Sequence, residues 1–97
     1  MREGILAAAI GLASIVAVTA ASAEPPAGAA SCSGCHATSA HVTTPVPRLI
    51  GREPADFVKA MQDFRSGARA GTVMDRIAKG FTDDEIQAIA AWYATQR

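Results

Sequence analysis

Several features common in small exported domains are scarce in this chain. Cysteine is limited to Cys32 and Cys35, and a bridge between positions three apart closes too short a loop to constrain a fold, which excludes a disulfide framework. Net charge is absent as well: nine basic side chains balance nine acidic ones. With no basic stripe, no basic patch interleaved with aromatics (5% of residues) and no acidic tail, nucleic acid is excluded as a partner. No stretch alternates apolar and polar residues as a half-buried strand does, and no segment repeats at a fixed period. What remains is an all-α chain with one domain and three to four short helices.

The long apolar run lies at the start. Arg2 supplies a positive charge, Gly4 to Ala21 is almost wholly Ala, Ile, Leu, Val and Gly, and the run ends in Ala21-Ser22-Ala23. This order describes a secretory signal over residues 1–23 with a cut between Ala23 and Glu24. The competing reading is a retained membrane anchor, since the run is near the minimum length for a spanning helix. Either way residues 24–97 form the folded part, outside the cytoplasm and, in the signal reading, periplasmic with no membrane span. The 49% hydrophobic content is inflated by this run. A domain of the remaining size supports only a small apolar core and needs a further staple.

Along residues 24–97, Pro25-Pro26 reads as an extended lead-in, and a short helical stretch from about Ala27 carries the cysteines. Residues 37–51 hold too many Pro, Thr and Gly for a regular element. Pro54 suits a first helical position, Phe57, Met61 and Phe64 recur at helical spacing, and Gly67 closes that helix. A loop from Ala68 to Gly71 precedes a short segment from Val73 to Lys79, which stops at Gly80. The last helix, Asp83 to about Thr95, carries a Thr82-x-x-Glu85 capping box, a staple of Phe81 on Ile86, and an apolar face of Ile86, Ile89, Ala90 and Tyr93 beside Trp92.

Cys32-Ser33-Gly34-Cys35-His36 is the attachment pattern of a c-type haem. On a helix, positions i, i+3 and i+4 share a face, so both thiols can reach the vinyl groups while His36 approaches the iron. The other readings are a redox dithiol, which wants a strand-helix-strand context, and half a zinc site, for which His41 is the only nearby addition. A second axial ligand is expected, and a methionine thioether favours reduced iron. Met74, after Gly71-Thr72 on a loop, is the choice over Met61, which shares a core stripe with Phe57 and Phe64, and over His41, which would have to double back. Pro47 either offers its carbonyl to the second nitrogen of His36 or, with Pro45, merely stiffens the loop. Arg48 and Arg52 could meet the haem propionates or stay solvated.

These residues, with Pro47-Arg48-Leu49 after the haem motif and Trp92-Tyr93 in the last helix, resemble a class I cytochrome c over nearly all of residues 27–96. The resemblance implies one covalent haem c held by Cys32, Cys35, His36 and Met74 and wrapped by helices, the first and last of them crossing. Phe64-Arg65-Ser66-Gly67 and the stretch from Thr72 to Ile86 are similar to the cytochrome subunits of flavocytochrome c sulfide dehydrogenases. That similarity implies a flavoprotein partner that oxidises sulfide and passes electrons to this haem. Some members of that group carry two haem domains, whereas this chain has one Cys-x-x-Cys-His. The alternative is a freely diffusing periplasmic shuttle of the c553 or c4 kind, serving an oxidase, reductase, photosynthetic centre or other redox protein. In both readings the chain itself carries electrons. A catalytic haem with an open iron position is disfavoured, because Met74 can close that position and no distal histidine–acid pair is evident.

Overall fold

The computed structural model describes Gly4, residues 7–17 and residues 24–97. The expected cut lies at the edge of these, because Ala21, Ser22 and Ala23 fall outside the described residues, as do parts of the proposed signal. Within residues 7–17, Ile10, Leu12, Ile15 and Val16 are exposed. Among the described residues no helix is long and apolar enough to cross a membrane.

Four helices follow in order: α1 (Ala29–Cys32), α2 (Pro54–Ser66), α3 (Met74–Ala78) and α4 (Asp83–Thr95). No strand occurs among the described residues, in agreement with the all-α reading. Pro54 opens α2 at its first position, where a missing N–H costs nothing, and Gly67 ends it at φ 84°, a left-handed conformation that favours glycine. The expected capping box opens α4. Thr82 Oγ1 accepts from the Glu85 N–H at 3.2 Å, and Glu85 Oε1 accepts from the Thr82 N–H at 3.3 Å. An ion pair of 2.8 Å joins Arg65 near the end of α2 to Asp83 at the start of α4.

The apolar stripes expected of α2 and α4 meet in the core. Phe57, Met61, Ile86, Ile89, Ala90 and Tyr93 are all buried, joined by Ala29, Leu49 and Ala78. Tyr93 is the hub: its ring stacks on Phe57 at 6.3 Å between centroids and meets Trp92 edge-on at 4.9 Å. Its hydroxyl donates to the Ala29 carbonyl at 2.6 Å, and its own carbonyl accepts from the Gly51 N–H at 3.0 Å. The last helix is thereby pinned to the first across 64 residues. Gly28, just before α1, permits this close approach. It adopts φ +86°, and a Cβ there would lie 2.5 Å from Phe81 Cε1.

Replacing Tyr93 with Phe leaves the Ala29 carbonyl without its donor and is expected to cost about 1–3 kcal/mol, read by chemical denaturation of the haem-loaded protein. Burial, with a smaller contribution from charge on Cys32, also pushes the Tyr93 phenol above its ordinary value. A raised folded pKa means that the neutral phenol's contribution is full below the unfolded pKa, near 10, and is lost as pH climbs through the higher folded value. The wild-type chain is therefore expected to lose stability above about pH 10, and the part of that loss due to Tyr93 is expected to vanish in Tyr93→Phe.

Candidate functional site

The haem motif begins on a helix but does not stay on one. Helix α1 ends at Cys32, and Cys35 and His36 lie in the turns that follow, where Gly34 lowers helical propensity. The shared face expected of a helix nonetheless persists, because the Cys35 and His36 N–H groups both bond to the Cys32 carbonyl, at 3.2 and 2.9 Å. Both cysteines are free thiols; Cys35 is exposed and Cys32 half-buried. The Cys32 thiol donates to the Gly28 carbonyl at 3.4 Å, and burial pushes its pKa up.

Cys32, Cys35, His36 and Met74 all line one cavity of about 790 Å³. Its walls are otherwise mainly apolar, with Leu49, Phe57, Met61, Phe64, Val73, Ile77, Phe81, Ile86 and Ile89 among them. Met74 is the first residue of α3 rather than a loop residue as expected, and is partly buried. Met61 is buried as core, as its stripe implied, yet it also reaches the cavity wall. His41 is exposed and does not line the cavity.

Of the two roles left open for Pro47, the structure shows the acceptor role: His36 Nδ1 lies 2.5 Å from the Pro47 carbonyl oxygen. A carbonyl can only accept, so Nδ1 carries the proton and Nε2 keeps its lone pair for a metal. Arg48 donates to the Thr38 carbonyl at 3.1 Å and does not line the cavity, whereas Arg52 does. Sequence reasoning missed Arg69, which was passed over as loop. The Arg69 N–H bonds to the Asp63 carbonyl at 3.1 Å, and its guanidinium lies 5.1 Å from the centre of the Phe64 ring. Gly71 approaches the same ring, where a Cβ would sit 3.0 Å from Phe64 Cε1. The only local signal for this arrangement was the Gly-rich composition of the loop.

A haem fits this set of residues. The volume lies in the range that takes a large ligand, roughly 300–1,000 Å³. Five of the nine buried core residues (Leu49, Phe57, Met61, Ile86 and Ile89) face the cavity, so the core is hollow where a flat apolar group would complete it. The walls carry two thiols, an imidazole in the required tautomer and two thioethers. The rival readings lack support: among the described residues no group of three or more His, Cys, Asp and Glu converges as a metal site, and no strand frames a redox dithiol.

No family model matches the chain, but known proteins do. The cytochrome subunit of sulfide dehydrogenase from Chlorobaculum tepidum is 41% identical over 63 residues, which cover 65% of this chain and 57% of that protein. Cytochrome c4 from Thiocapsa roseopersicina is 37% identical over 78 residues, covering 75% of this chain and 40% of the relative. Cytochrome c-554(548) from Halomonas halodenitrificans is 32% identical over 69 residues, covering 67% of this chain and 83% of the relative. The chain thus spans only about half the length of the first two and most of the third. With its all-helical fold, the chain belongs to the class I cytochromes c, electron-transfer proteins that carry a covalently bound haem c.

Proposed function

We propose that residues 1–23 export the chain to the periplasm, and that it there carries single electrons as the cytochrome subunit serving a sulfide-oxidising flavoprotein. Cys32 and Cys35 hold the haem as thioethers, and His36 Nε2 and the Met74 thioether are its axial donors. The observation that carries this reading is the convergence of all four side chains on one apolar cavity, with His36 already oriented by Pro47.

Bound there, haem c supplies an iron centre that takes up and releases one electron. The chain's own residues do the rest. The Pro47 carbonyl fixes the imidazole plane and strengthens Nε2 as a donor. Leu49, Phe57, Ile86 and Ile89 keep water from the site, and a thioether donor from Met74 favours the reduced state.

Two observations support the sulfide-linked partner. One is the similarity to the sulfide dehydrogenase cytochrome subunit. The other is apolar surface at the cavity mouth, where Val73 and Ile77 line the cavity and are still 49% and 38% exposed, as suits a lasting interface better than a charged encounter surface. A second reading, a free shuttle, draws on the similarity to cytochrome c-554(548), most of whose length the chain spans. Purification from a membrane-free periplasmic extract separates the two. A co-eluting flavin-bearing chain and sulfide-dependent reduction of the haem are expected; a haem protein that elutes alone and is not reduced by sulfide in the extract favours the shuttle.

A further inference from the structure

The cavity is apolar except at two points. Arg52 and Arg69 are the only charged side chains that line it; no Asp, Glu or Lys does, and the other titratable groups on its wall are Cys32, Cys35 and His36. Among the described residues the ion pairs are Lys59–Asp63 and Arg65–Asp83, so neither cavity arginine is matched to an acid. A guanidinium against an apolar wall is costly unless an anion meets it. Both arginines are also placed by local structure. Arg52 follows Gly51, which turns the chain at φ +75°, and the Arg52 N–H is tied to the Leu49 carbonyl at 3.2 Å. Arg69 is held by its backbone bond to Asp63 and by the Phe64 ring.

We propose that Arg52 and Arg69 are the receptors for the two propionate carboxylates of the haem, each guanidinium meeting one of them. The assignment rests on the proposed placement of haem in this cavity. Attachment at Cys32 and Cys35 takes up the vinyl edge of the macrocycle, so its carboxylate edge faces elsewhere in the cavity, where these two arginines offer the only positive charge on the wall. Planar guanidinium groups suit carboxylates through paired, charge-assisted hydrogen bonds. The assignment removes Arg48 from this role, since its guanidinium is bonded to Thr38. It also assigns the two arginines a task in tuning: they keep the carboxylates ionised, and their own charge favours the reduced haem.

The test is the pH dependence of the midpoint potential in haem-loaded Arg52→Gln and Arg69→Gln, with Arg52→Lys, Arg69→Lys and the exposed Arg76→Gln as references. In each Gln variant one propionate loses its cation. Its ionisation is then expected to move up by about 1–3 pH units, bringing a pH-dependent step of the potential toward neutrality, with a lower potential at pH 7. The Lys variants are expected to keep most of the wild-type profile, and Arg76→Gln all of it. A Gln variant with an unchanged profile, or one that its Lys counterpart merely copies, overturns the assignment for that arginine. The absorption spectrum reads the underlying placement separately, because a wild-type chain without attached haem refutes the site itself rather than the arginines.

Discussion

The exported chain with both Cys32→Ala and Cys35→Ala is expected to release all of its haem on acid–acetone extraction and to show no cooperative unfolding transition. The first part follows from chemistry, since no other cysteine is present to form a thioether. The second follows from packing. Five of the nine core residues line the cavity, so without its filling they face water or a void instead of each other. The short α1 and α3 helices cannot supply the missing contacts, and a domain of this size has only a few kcal/mol in reserve. Near-UV circular dichroism and chemical denaturation check the outcome. A double variant that unfolds cooperatively at wild-type stability would show that the cavity is incidental to the fold.

Met74→Ala and Met61→Ala are expected to differ in kind, and the difference identifies the axial donor. With Met74 shortened, the haem stays covalently attached, but the far-red band of thioether-to-iron charge transfer disappears. The potential then drops, because the donor that favours reduced iron is gone, and added imidazole binds at the opened position. Met61 is 7% exposed and packs in the core cluster. Its truncation is expected to cost about 2–5 kcal/mol of stability while leaving the charge-transfer band in place. Loss of the band in Met61→Ala and its retention in Met74→Ala would reverse the assignment, since both side chains reach the cavity wall.

What could be read from the sequence was local. Pro54, Gly67 and the Thr82–Glu85 pair mark helix ends through interactions within a few residues, and the helices run as those signals say. The stripes Phe57–Met61 and Ile86–Ile89–Ala90–Tyr93 are buried for the same reason: a period of 3.6 residues needs no knowledge of the partner surface. The motif at Cys32–His36 carried the cofactor, although the helix beneath it is shorter than the spacing suggested. Long-range terms were not legible. Nothing near Tyr93 announces that its hydroxyl meets Ala29, nor does Gly28 signal that Phe81 leaves no room for a side chain. Arg69 was missed because its place depends on Phe64 and Gly71 folding the loop back on the cavity. For Pro47, sequence alone left two roles, and only the 2.5 Å contact with His36 decides between them.

The most direct test of the central claim is mass mapping of the protein purified from the periplasm after trypsin digestion. The account predicts one peptide that begins at Glu24, ends at Arg48 and is heavier than its sequence by one haem, with both Cys32 and Cys35 blocked to alkylation. The same peptide at its bare mass, with cysteines that alkylate freely or after reduction, would contradict it.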